Sequence, residues 1–289
     1  MRFNPKKKSK RKVLGAQMAY VEAGKGDPIV FLHGNPTSSY LWRSVIPEEV
    51  KKGRCIAPDL IGMGDSAKIA SGPSAYRFAD HRQYLDGLLE VLEVERNVTL
   101  VGHDWGGALL FDWGRRHPEA VKAVVYMETI ITPISWDDWP ESAVRAFQGM
   151  RSDAGEEMVL DKNFFVERIL PASVLRDLSN EEMAEYRRPF AEPGEWRRPT
   201  LTWPREIPIE GEPADVKQIV ELNQEWLASE SVPKLFVNAD PGSIMTGRIR
   251  EVARSFPNQS EVTVPGIHFI QEDSGTQIGR EIASFLDSI

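Results

Sequence analysis

Short apolar runs rich in β-branched residues recur at about residues 28–33, 54–58, 98–102, 122–127, 233–238 and 260–265, each bounded by Gly, Pro, Asp or Asn. Runs of this length and bounding predict buried strands of a parallel sheet, covered on both faces. Between them, residues 76–93 and 105–117 carry apolar positions at a 3.6-residue period, and residues 276–288 predict a closing helix. The alternation predicts the α/β class: a doubly wound, mostly parallel central sheet flanked by helices, with its ligand site beyond the carboxyl ends of the strands. Residues 13–22 alternate loosely and predict an antiparallel edge hairpin.

From about residue 131 to residue 213 the rhythm breaks into tryptophan-containing, acidic, helical stretches punctuated by Pro171, Pro189, Pro193, Pro199, Pro204 and Pro208. The expected organisation is a core of residues 13–130 and 214–289, with a helical cap over residues 131–213. The cap is inserted after the strand that ends near Glu128. An insertion there emerges at the carboxyl edge of the sheet and roofs the site. Trp139, Phe147, Phe164, Phe165, Ile169, Leu170, Trp203 and Ile207 supply its apolar surface. A helical layer needs some of these for its own packing, so about half are expected to face a ligand.

A chain of 289 residues with 41% apolar residues suits one enzyme-sized domain carrying an insertion. A net charge of −8 counts against nucleic acid or an anionic membrane as partner. The local exception is the basic run at residues 6–12, read with the rest of residues 1–12 as a solvated, flexible tail. No apolar stretch approaches the roughly 18 residues of a membrane span, and no apolar segment follows the basic start, so a cytoplasmic protein is expected. The lone Cys55 permits no intramolecular disulfide, and no Cys/His spacing suggests a metal.

The chemistry gathers at the predicted strand ends. Residues 99–107 read Thr-Leu-Val-Gly-His-Asp-Trp-Gly-Gly, a strand running into a glycine-lined turn. In a nucleophile elbow this turn lifts one side chain above the sheet, with N–H groups of the next helix aimed at it. Here that side chain is Asp104. A carboxylate needs no deprotonation, suits displacement of a good leaving group from an sp3 carbon, and leaves an ester that water can cleave. The plainer alternative is that Asp104 caps the following helix. Asn35, in His-Gly-Asn-Pro after the run 29–32, and Trp105 offer N–H donors beside Asp104. Two such donors suit a weakly hydrated anion such as chloride, bromide or iodide as it departs. His268, in a late loop after a strand, can activate water. Two acids compete to orient it: Glu128, ending the strand before the insertion, and Asp240, ending the strand after it.

Longer stretches carry a resemblance. His33-Gly34-Asn35-Pro36-Thr37-Ser38-Ser39-Tyr40-Leu41-Trp42-Arg43, Pro58-Asp59-Leu60-Ile61-Gly62-Met63-Gly64-Asp65-Ser66, Gly102-His103-Asp104-Trp105-Gly106 and His268-Phe269-Ile270-Gln271-Glu272-Asp273 resemble haloalkane dehalogenases of the α/β-hydrolase superfamily. Arg198-Pro199-Thr200-Leu201 with Trp203-Pro204-Arg205 extend the match, which runs from Ala19 to the C-terminus. The resemblance is particularly to the subfamily that degrades chlorinated cyclohexanes and medium-length haloalkanes. It implies a triad of Asp104, His268 and Glu128, with Asn35 and Trp105 as halide and oxyanion donors. It implies a substrate pocket of Trp139, Phe147, Phe165, Ile169, Trp203, Ile207 and Ile244, with Ala143 and Ser173 at equivalent positions. The implied reaction turns a haloalkane into alcohol, halide and a proton without cofactor or metal, in a monomeric detoxifying enzyme.

Three rivals remain. An epoxide hydrolase also uses an elbow aspartate but needs lid acids, usually two tyrosines, and only Tyr186 lies in the insertion. Coelenterazine luciferase resembles the chain at Asn163-Phe164-Phe165-Val166-Glu167 and at Trp203-Pro204-Arg205-Glu206-Ile207-Pro208. A non-catalytic hydrolase-like receptor is the third.

Overall fold

The computed structural model describes residues 4–69 and 72–289. The six apolar runs become β3 (Pro28–Leu32), β4 (Arg54–Pro58), β5 (Val98–Asp104), β6 (Val121–Thr129), β7 (Lys234–Pro241) and β8 (Gln259–Gly266), preceded by β1 (Ser9–Val13) and β2 (Ala16–Gly24). They form one eight-stranded sheet in the order β1-β2-β4-β3-β5-β6-β7-β8. Strands β3 to β8 pair in parallel, while β1 pairs with β2, and β2 with β4, in the antiparallel sense.

Alternation along each strand explains why the runs read as continuously apolar. Val30, Leu32, Leu100, Val124 and Tyr126 enter one apolar layer; Ile29, Phe31, Val101, Ala123, Val125 and Met127 enter the other. The first layer is closed by α1 (Phe78–Val91), α2 (Trp105–Arg116) and, later in the chain, α6 (Ala214–Ser229) and α7 (Gly247–Arg254). The second is closed by α8 (Ile270–Asp287), kinked at Ser274, and by Trp42, Val45 and Ile46. Between β6 and α6 the chain is helical, including α3 (Glu141–Arg151), α4 (Asn180–Arg187) and α5 (Arg198–Glu206). Two π-helical segments, Glu156–Asp161 and Phe165–Ile169, account for the irregular period there.

The N-terminal expectation needs correction. Residues 1–3 lie outside the described residues, but Ser9–Val13 is a strand rather than a solvated tail, paired with β2 from Ser9↔Tyr20 to Val13↔Ala16. A tight turn at Leu14 and Gly15, both with positive φ, makes the reversal possible. The hairpin is therefore longer than residues 13–22. Lys8 adds an anchor, its ammonium 2.7 Å from both Asp59 and Asp65. A run of like charges reads as solvated when its partners lie some fifty residues away.

One buried acid makes the fold pH-sensitive. Glu49 closes the one-turn helix Ile46–Glu49 against α8, fully buried, with neither carboxyl oxygen hydrogen-bonded. Burial pushes its carboxyl up to about 8, opposed by Lys52 and reinforced by Glu48 and Asp287. Between the ordinary value of 4.5 and about 8 the unfolded chain ionises while the folded one stays protonated. Stability therefore falls as pH rises through that window and levels off above it. Relative to wild type, Glu49→Gln is expected to gain roughly 2–4 kcal/mol between about pH 4 and about pH 9. Urea unfolding of both proteins at the two pH values measures this, and a pH-independent difference would count against it.

Candidate active site

Three adjacent strands, β3, β5 and β6, deliver Asn35, Asp104 and Glu128 to the carboxyl edge of the sheet, and β8 is followed by His268. Asp104 has φ 51° and ψ −132°, the strained left-handed conformation of an elbow. Its backbone is held by Thr129, whose hydroxyl donates to the Asp104 carbonyl at 2.6 Å. The turn tolerates nothing larger than glycine at two neighbours. A Cβ on Gly106 would collide with the Leu32 carbonyl, and one on Gly34 with the Asp104 carboxylate. Although Asp104 stands at the N-cap of α2, its side chain makes no capping hydrogen bond. Oδ2 instead accepts from the Asn35 N–H at 2.8 Å. The capping explanation therefore fails on geometry.

His268 Nε2 lies 3.7 Å from Asp104 Oδ1, and Nδ1 donates to Glu128 Oε2 at 3.3 Å. Glu128 is fixed by three amides: it accepts from Ser243 at 3.2 Å, Ile244 at 2.9 Å and Met245 at 3.3 Å. Asp240, the rival acid, is exposed at the end of β7. Contact, which strand-end position alone left open, puts Glu128 rather than Asp240 against His268.

The electrostatics separate this histidine from the others. Burial lowers the imidazole pKa of His33 to about 4, of His81 to about 3, and of His103 well below the ordinary value. For His268 burial acts in the same direction, but the Glu128 hydrogen bond and the charges of Asp104 and Glu128 outweigh it and raise the pKa. Burial raises the Asp104 carboxyl, against the opposing pull of His268 and the amides of Trp105 and Asn35.

Above Asp104 lies a cavity of about 380 Å³, bounded by core residues Asn35, Asp104, Trp105, Ser243, Ile244, Ile267 and His268 and by the helical insertion. That size suits a small organic molecule. Asn35 Nδ2 donates one hydrogen to the Thr200 carbonyl at 3.3 Å, and an amide nitrogen carries a second. The Trp105 indole stacks on Trp203 with centroids 4.6 Å apart, and Trp203 stacks on His81 at 4.2 Å. This ladder sets the plane of the Trp105 ring.

Residues 27–275 match the α/β hydrolase fold family. The chain is 56% identical over 275 residues to a haloalkane dehalogenase of Sphingobium indicum, covering 95% of this chain and 93% of that protein. It is 54% identical to a haloalkane dehalogenase of Mycolicibacterium smegmatis, over 96% of this chain and 90% of that one. The chain belongs to the haloalkane dehalogenase family. A coelenterazine h 2-monooxygenase of Renilla reniformis is also similar, 45% identical over 96% of this chain and 89% of that protein. Among solved structures, a haloalkane dehalogenase of Bradyrhizobium elkani superposes with a TM-score of 0.93 at 42% identity, covering 98% of each chain.

In this dehalogenase-family chain, Trp139, Phe147, Phe165, Ile169, Ile207 and Ile244 line the cavity, as do Ala143 and Ser173. Trp203 does not. It is fully buried behind Trp105, and the next residue, Pro204, faces the cavity instead. A helical position one step away points about 100° elsewhere, which residue type alone does not reveal. Pro140, Ser142, Ala146, Ala172 and Ile267 complete the wall without having stood out in the sequence. Small size was the only mark of the serine and the two alanines. Tyr186, the single tyrosine of the insertion, is absent from the cavity wall and its hydroxyl bonds Glu272. The acid required for epoxide opening is therefore missing from this wall.

Proposed function

We propose that the chain opens carbon–halogen bonds of small haloalkanes in two steps, with Asp104, His268 and Glu128 as its triad. The observation that carries this reading is the differential hold on Asp104: Oδ2 is engaged by the Asn35 amide, while Oδ1 faces His268. Oδ1 attacks the halogen-bearing carbon in line, an Oδ1–C bond forms, and the halide leaves with the bonding pair. The Asn35 side-chain amide and the Trp105 indole N–H receive it. Residues 131–213 form the cap that keeps water away from the departing charge.

Water then attacks the ester carbonyl carbon while His268 Nε2 takes its proton. The negative charge that develops on Oδ2 is met by the amides of Asn35 and Trp105. Collapse breaks the bond from the carbonyl carbon to Oδ1. The alkoxide takes the proton from His268, and one further proton is released with the halide. Esterification also removes the Asp104 charge, which together with the Glu128 hydrogen bond and charge raises the His268 pKa, so the imidazole is less strongly biased toward its protonated form when it must act as a base.

Paired assays of halide and alcohol from iodobutane, ethylene dibromide and chlorohexane test the reading. Stoichiometric release of both products is expected from at least one of them. The Renilla relative supplies the competing reading, so coelenterazine is the control substrate. Light without halide release would favour it.

A further inference from the structure

The loop that carries His268 is held from two sides. His103, the residue before Asp104, donates from Nε2 to the His268 carbonyl at 2.8 Å. From the helical insertion, the Ser173 carbonyl accepts from both the His268 and Phe269 N–H groups at 3.1 Å. Ser173 also lines the cavity. A single carbonyl steadies an imidazole only if the segment bearing it is itself fixed.

That segment is fixed two and three residues further on. The N–H groups of Leu175 and Arg176 donate to the Asp273 carboxylate at 3.0 and 3.1 Å. The Arg176 guanidinium donates from Nε to the Glu272 carbonyl at 2.7 Å and from Nη2 to Glu272 Oε2 at 2.6 Å. The Glu272 side chain is fully buried, and Arg43 and the Tyr186 hydroxyl also donate to it. Glu182 of α4 bonds both arginines at 2.7 Å. Charge-assisted bonds of this kind are short and directional. Residues 173–176 of the insertion and residues 268–273 of the core are thus tied together.

We propose that residues 173–176 hold the His268 imidazole at its working position, with Arg176 as the positioning residue. The proposal rests on His268 being the base for ester hydrolysis. Displacement of halide needs only the elbow and its donors, so loss of the clasp slows the second step and spares the first. A misplacement of a fraction of an ångström suffices for an effect on the order of tenfold.

Rapid-quench kinetics with ethylene dibromide on Arg176→Met separates the steps. The halide burst should keep its wild-type rate, steady turnover should fall on the order of tenfold, and ester should accumulate on Asp104. Arg176→Lys should recover part of the loss. Arg187→Met, which removes the 2.8 Å ion pair to Glu167 in the same insertion, should change neither step. Asp273→Asn tests the same clasp from the core side and decides alone if Arg176→Met does not fold. Unchanged hydrolysis in the folded clasp variants, or equal slowing of both steps, overturns the proposal. A wild type that releases no halide overturns the reading of the site itself, which is a different failure.

Discussion

His268→Gln is expected to release one equivalent of halide per protein and then stop, leaving Asp104 as an alkyl ester. The displacement step requires no proton transfer, because the attacking group is already a carboxylate. The second step does, since water is a poor nucleophile toward an ester until a base takes its proton. Glutamine keeps much of the side chain's bulk but has no titratable nitrogen. Loss of a general base slows such a step by on the order of 10²–10⁴-fold. The surrounding hold on the ester remains, with the Asn35 amide still at Oδ2. Mass spectrometry of the peptide containing Asp104 would detect the added alkyl group. Continued turnover, or a halide burst with no modified peptide, would remove His268 from its assigned role.

Asp104→Ala is expected to abolish halide release altogether, lowering the rate by on the order of 10⁶-fold or more, because the covalent route disappears with the nucleophile. This differs in kind from the histidine variant, which completes one displacement. Halide binding gives the control for folding. Asn35 and Trp105 remain, and the negative carboxylate that faced the halide is gone, so bromide should bind more tightly to the alanine variant. Quenching of tryptophan fluorescence by bromide measures this. A folded variant that still releases halide would mean that another group attacks carbon.

Much of this site was legible because its chemistry sits at strand ends, where the turn leaves marks in the sequence. Gly34 and Gly106 are needed for close approach around Asp104, so the elbow announces itself through glycines as well as through the acid. Glu128 and Asp240 illustrate the limit. Both end strands, and only the positions of the amides of residues 243–245 and of His268 separate them. Trp203 shows a second limit, since an aromatic on an insertion helix serves the cavity or the packing behind it according to a rotation of a single residue step. The strand Ser9–Val13 shows a third: its lysines and arginine mask an extended backbone whose partner is supplied by β2.

That same strand closes one side of the sheet with Ser9, Lys10, Arg11 and Lys12 all exposed. An outermost strand presents unpaired N–H and carbonyl groups that invite a strand from another molecule, and lysine-rich edges discourage this. A second copy adding there would bring like charges face to face. At the opposite side, β8 offers an exposed Glu261 and Pro265, which has no N–H to give. Both flanks therefore carry residues that disfavour intermolecular strand addition, a consequence of the basic run that is separate from the chemistry at the strand ends.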